Sequence, residues 1–151
     1  MKLAEALQER ADLNRTIEQL KYRLRNNVLV QEGEAAVEEP QALKQKLDGC
    51  LERLEHLIAC INRTNGNTVV DGQTLTQLIA KKDVLTLKIG TYRDVLAEAS
   101  QTAGRARGTE IRIKAAISVP EWQAEADSLS RELRRLDNRL QETNWTTELQ
   151  E

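Results

Sequence analysis

Residues 40–62 read PQALKQKLDGCLERLEHLIACIN. Their apolar positions, Leu43, Leu47, Cys50, Leu54, Leu57 and Ile61, alternate at spacings of four and three. That period follows one face of an α-helix, so the stretch is one long helix with a single apolar seam. Pro40 suits its first turn, where a missing N–H costs nothing.

The same period recurs on both sides of this segment. It runs through Leu3, Ala6, Leu13, Ile17, Leu20 and Leu24 upstream. Downstream it runs through Leu75, Leu78, Leu85, Ile89, Tyr92, Leu96 and Ala99, then through Trp122, Ala126, Leu129, Leu133, Leu136 and Leu140. Thr74-Leu75-Thr76-Gln77 and Ser118-Val119-Pro120-Glu121 have the spacing of capping boxes, which places two helix starts. The chain is therefore expected to be mainly α, an antiparallel four-helix bundle with helices over 2–26, 40–62, 74–101 and 118–143. Leu7, Leu51, Ile58 and Ile79 widen the seams and serve either an intramolecular core or a subunit interface.

Composition narrows the possible roles. A chain of 151 residues fits one domain, 1–151, with a core that needs no disulfide or metal staple. Charged residues make up 30%, yet the net charge is only −2, so no global field favours nucleic acid. Phe is absent, and two Trp and two Tyr are too few for a base-stacking platform. The opening Met1–Arg10 carries acidic residues where a signal peptide needs an apolar run, and no apolar stretch is long enough for a bilayer. A cytoplasmic protein without a membrane segment is the expectation. Cys50 and Cys60 lie on one helix, too far apart along it to bridge each other. Cys50 falls on the seam as a small core residue; Cys60 flanks it, which leaves open a reactive thiol or a bridge to a second subunit.

The connections carry strand signals. Val28-Leu29-Val30-Gln31 precedes an acidic tract with Glu32, Glu34, Glu38 and Glu39. Asn65-Gly66-Asn67, Val69-Val70 and Asp71-Gly72 have a strand-and-turn composition. Gly104-Arg105-Ala106-Arg107-Gly108 leads into alternating Ile111, Ile113, Ala115 and Ile117. Short strands are expected near 28–31, 68–70 and 110–117. The first and last of these are expected to pair, bringing the acidic tract to Arg105, Arg107, Arg112 and Lys114.

Reaction chemistry is sparse. His56 is the only histidine, on the solvent side beside Glu55 and one turn after Glu52. No Glu-x-x-His motif or seam carboxylate accompanies it, so surface pairing is expected and no metal or other cofactor. No nucleophile-and-base constellation occurs, and no catalytic residue is assigned. Arg10 and Lys82 interrupt the apolar seams, with Asp12 and Asp83 as available ion partners; Arg10, Lys82 and Asp83 are read as buried polar residues that set register. The basic arm around Arg105 pairs with an acidic tract of its own chain or of a partner.

Five segments together resemble a family of small bacterial proteins labelled septicolysin: Met1–Leu7, Val30–Gly33, Ile61–Asn65, Asp71–Thr76 and Gln141–Leu149. This chain has Lys81-Lys82-Asp83 where the family pattern has Glu-Arg-Asp, which keeps a cation beside an acid but loses the guanidinium fork. The label implies a cytolysin. A pore former needs an export route and a segment able to span a membrane, and neither is visible here.

Up-and-down helices gather Asn62, Arg63, Thr64 and Asn65 at one end with Asn144, Trp145, Thr146 and Thr147. Arg63, Thr64, Asn65, Asn144, Trp145 and Thr146 are the candidate ligand-binding residues. The competing reading is that they cap helix ends and dock the carboxy-terminal tail. The function expected from sequence is a non-enzymatic, self-associating helical protein whose partner is itself, as a homo-oligomer. A small-ligand or metal-binding protein using the Asn–Trp end is the alternative.

Overall fold

The structure is a computed structural model that describes residues 1–102 and 111–151. The chain is mainly α, with four long helices and one small two-stranded sheet among the described residues. In chain order these are α1 (Leu3–Asn27), α2 (Pro40–Asn67), β1 (Val69–Val70), β2 (Gln73–Thr74), α3 (Leu75–Ala99) and α4 (Val119–Thr146). The chain divides into two compact units: Met1–Thr74 with Thr143–Glu151, and Leu75–Glu142.

The first unit is built on α1 and α2. Of the predicted seams, Leu13, Ile17, Leu24, Leu47 and Leu54 are only half-buried, while the core takes Leu3, Ala6, Leu20, Leu43, Leu57 and Ile61, with Ala4, Cys60 and Thr64 beside them, all buried. Each large side chain so buried contributes about 1.5–3 kcal/mol. Polar contacts fasten the rim of this pair. Arg53 donates through Nε to Glu9 Oε1 at 2.6 Å and through Nη2 to Glu9 Oε2 at 2.9 Å, the two-pronged geometry only a guanidinium offers. At the other end of α1, Arg23 Nε donates to both carboxylate oxygens of Glu38, at 3.1 and 3.0 Å. Asn27 reinforces this by accepting the Glu38 backbone N–H at 3.0 Å and donating to the Arg23 carbonyl at 2.8 Å.

These contacts correct the expectation for the first connection. Residues 28–31 form no strand, and Glu38 is taken by Arg23 of its own hairpin. Residues 111–117 form no strand either, while residues 103–110, with Arg105 and Arg107, lie outside the described residues. Among the described residues, no strand lies beside 28–31 for it to join. The small sheet forms instead within the second connection, where β1 pairs antiparallel with β2, Val69 opposite Thr74 and Val70 opposite Gln73. Asp71 and Gly72 turn between them at φ 51° and 81°. Positive φ at both central residues is the primed turn whose twist matches paired strands. The Asn65-Gly66-Asn67 run continues α2 past the expected end at Asn62, and the Thr68 N–H closes it on the Thr64 carbonyl at 2.9 Å.

The second unit holds α3 and most of α4. Leu75, Leu78, Leu85, Ile89 and Leu96 are buried on α3, as the spacing predicts. Ala126 and Leu140 are buried on α4, whereas Trp122, Leu129, Leu133 and Leu136 are only half-buried. Tyr92 and Trp122 meet with ring centroids 5.0 Å apart and planes tilted by 43°. Lys81 pairs with Glu132 at 3.2 Å, and Lys82 pairs with Asp137. Among the described residues, no helix is long and apolar enough to cross a membrane.

Candidate functional site

Three of the six candidate residues, Asn144, Trp145 and Thr146, form the last turn of α4, which runs three residues past its expected end. The other three, Arg63, Thr64 and Asn65, stand one turn before the end of α2. All six belong to the first unit. Their surroundings differ sharply. Thr64 is 0% exposed, Asn65 and Asn144 are half-buried, and Arg63 and Thr146 face solvent. Trp145 is 51% exposed.

Thr64 is the point where the tail attaches. Its Oγ1 donates to the Cys60 carbonyl at 2.8 Å and accepts the Gln150 N–H at 2.9 Å. Asn67 Nδ2 donates to Gln150 Oε1 at 2.8 Å beside it. The tail then runs antiparallel to the chain's first residues. The Leu3 N–H donates to the Thr147 carbonyl, and the Leu149 N–H donates to the Met1 carbonyl, each at 2.9 Å. Lys2 and Glu148 form the bridge between them. These bonds satisfy backbone groups at the start of α1 and the end of α4 that no helix partner could reach.

Glu148 is the charged centre of this junction. Its carboxylate receives Lys2 Nζ at 2.5 Å and the amino group of Met1 at 3.3 Å. The Lys2 hydrogen bond, then the Met1 amino group, hold the carboxyl below its ordinary range against a smaller opposing effect of desolvation. The Lys2 N–H donates to Glu5 Oε2 at 2.7 Å, so α1 opens with its first backbone donor satisfied. Lys2, Glu148 and Gln150 were outside the sequence-predicted set. The Lys2–Glu5 spacing of three is a readable helix-start signal, but nothing local marks Glu148 or Gln150 as partners of distant residues.

The remaining singled-out residues lie elsewhere. Lys82 and Arg10 are half-buried and Asp83 is exposed, so none of the three is buried as expected. Lys82 pairs with Asp137 on α4, and Asp12 with Arg15, because neighbours one or two apart on a helix point to different sides. Burial of the cysteines is the reverse of expectation: Cys60 is 2% exposed and Cys50 half-buried. Cys60 Sγ lies 3.6 Å from His56 Nε2, one turn before it, so His56 faces Cys60 rather than Glu52. A thiol enclosed this way is poorly placed to bridge a second subunit. Among the described residues, no three His, Cys, Asp or Glu side chains gather as metal ligands.

Comparison with known proteins agrees with this fold. The model of a family of unknown function, DUF6847, matches residues 10–149. A crystal structure of a functionally unknown conserved protein from Corynebacterium diphtheriae is similar to the chain at 34% identity, covering 99% of each chain, with a TM-score of 0.92. No curated protein matches. Neither description carries an activity or the septicolysin label.

Proposed function

The chain belongs to the family of unknown function DUF6847, and we propose that it is a non-enzymatic helical protein that pairs with a second copy of itself through the outer face of α3. The observation that carries this reading is a row of apolar side chains left in solvent. Val84 is 66% and Leu87 70% exposed, on the side of α3 away from its buried leucines. With Ala80 and Thr91, also exposed, they repeat at spacings of four, three and four. Contiguous apolar surface left mostly in solvent is a candidate interaction surface.

The chemistry of the row selects the occupant. β-branched Val84 and Thr91 alternate with Ala80 and Leu87, the arrangement suited to a two-stranded parallel coiled coil. Asp83 flanks one side of the row, and Lys81 and Lys88 flank the other. A parallel two-fold pair sets the acidic flank of one helix against the basic flank of its mate, and an antiparallel pair sets like against like. Parallel pairing therefore brings Asp83 of each copy to Lys88 of the other. Asp83 has no partner among the described residues, and Lys88 Nζ is held only over the Tyr92 ring, 5.5 Å from its centroid.

The displaced ionisable groups fit a structural role. Glu9, Glu38 and Glu148 are lowered and Arg23 and Arg53 raised, each first by the hydrogen bond to its ion-pair partner. Such pairs tie elements of the fold together. A charge exchange tests the reading: Asp83→Lys should weaken pairing, and Asp83→Lys with Lys88→Asp should restore it, read by sedimentation velocity. Equal masses for the native chain and both variants would count against the α3 interface.

A further inference from the structure

We propose that the groove between α3 and α4 in the second unit binds a small amphipathic organic anion, a carboxylate, sulfonate or phosphate carried on an apolar body. The open groove offers about 490 Å³, a volume in the range of small-molecule sites. Lys82, Gly90 and Arg93 line it from α3, and Ser130, Arg134 and Asp137 from α4.

Charge favours an anion. Lys82 and Asp137 neutralise each other at one end, which leaves the guanidiniums of Arg93 and Arg134 with no other acid in the lining. Neighbouring carboxylates are engaged outside it: Glu132 with Lys81, and Asp127 with Gln123. Arg134 has no polar partner among the described residues. The Arg93 contact is weak, with Nη2 3.4 Å from Ser130 Oγ, whose proton goes to the Ala126 carbonyl at 2.9 Å. Two planar donor sets thus face one groove with no carboxylate of the described residues paired to either, a setting for two-pronged recognition of an oxyanion.

The rest of the lining favours an apolar body. Ile89, 3% exposed, and Leu133 supply hydrocarbon surface between the charged ends. Gly90 keeps the space open, since a Cβ built there meets no atom within 4 Å. Glycine costs an exposed helix interior stability relative to alanine, so its presence here leaves room at the expense of the helix. The site is separate from the outer face of α3 and stands whether or not the chain pairs.

The test uses 8-anilinonaphthalene-1-sulfonate, an aromatic anion whose fluorescence rises when it leaves water. The full chain should bind one equivalent saturably, and decanoate should displace it where inorganic phosphate, which has no apolar body, does not. Arg93→Gln with Arg134→Gln should weaken binding at least tenfold. Gly90→Leu, which fills the groove with a better helix former, should abolish it without lowering the thermal midpoint. Leu87→Lys, on the other face, should leave the affinity within about twofold, because it removes no groove contact. Binding that survives Gly90→Leu, is lost instead in Leu87→Lys, or yields equally to phosphate overturns the proposal. So does a native mass that changes with Gly90→Leu, which would make the groove a protein contact.

Discussion

Thr64 and Gln150, 86 residues apart in sequence, are joined by a 2.9 Å hydrogen bond from the Gln150 N–H to the Thr64 hydroxyl, at a position with no solvent exposure. The same hydroxyl donates to the Cys60 carbonyl, so its one proton and one of its two lone pairs are engaged within the chain. Thr64→Val keeps the shape and removes both bonds, stranding the Gln150 N–H. The expected cost is about 1–3 kcal/mol, a fall of roughly 2–4 °C in thermal midpoint for each kcal/mol. Thr64→Ser should recover most of it. A thermal scan in which Thr64→Val equals the native chain would remove Thr64 as the docking point.

Acid should loosen the first unit. The Glu9, Glu38 and Glu148 carboxyls are held below their ordinary value of 4.5 by hydrogen bonds from Arg53, Arg23 and Lys2. A carboxyl that titrates lower in the folded chain than in the unfolded one favours folding while ionised. That contribution is complete above the unfolded value and drains away as pH falls through the lowered folded value. Thermal midpoints should therefore be flat near neutrality and fall as pH drops below about 4.5. Glu9→Gln with Glu38→Gln and Glu148→Gln should flatten the acid limb; an unchanged limb would assign it to other groups.

The same substitution at two glycines should act in opposite directions. Gly72 has φ 81° and Gly90 is helical, and a Cβ at either meets nothing within 4 Å. Only backbone conformation then decides. Gly72→Ala forces an L-residue into the left-handed region, at a cost of about 1–2 kcal/mol. Gly90→Ala adds about 0.8–1.0 kcal/mol of helix preference. Chemical denaturation should move the two midpoints in opposite directions.

Lys82 and Asp137 make a partly exposed pair between α3 and α4, so their coupling should be small. A double-mutant cycle with alanine at each should give about 0.2–1 kcal/mol. Lys82→Arg, the residue of the septicolysin-labelled pattern, should raise the coupling, since a guanidinium offers two parallel bonds to a carboxylate. A larger coupling for lysine than for arginine would show that the groove cannot seat the fork.

How far the sequence could be read depended on whether a signal was local. The seams at Leu43–Ile61 and Leu75–Leu96 report a helical face directly, and Leu43, Leu57, Ile61, Leu75, Leu85 and Ile89 are buried as their period requires. Asp71-Gly72 likewise encodes its own turn. Strand pairing is not local, and among the described residues the apolar 28–31 run joins no strand. Ion-pair choice failed for the same reason: Lys82 chose Asp137, 55 residues away, over the adjacent Asp83. At the candidate site, Thr64 was legible as a polar residue near a helix end. Its partner Gln150 was not, because only the folded tail brings the two together.

The central claim, pairing through the outer face of α3, is tested most directly by native mass, measured by light scattering on a sizing column at low and high salt. The account predicts twice the 17.1 kDa of one chain for the native protein and a single chain for Leu87→Lys with its helicity retained. A native protein of single-chain mass at both salts, or a dimer indifferent to Leu87→Lys, would contradict it.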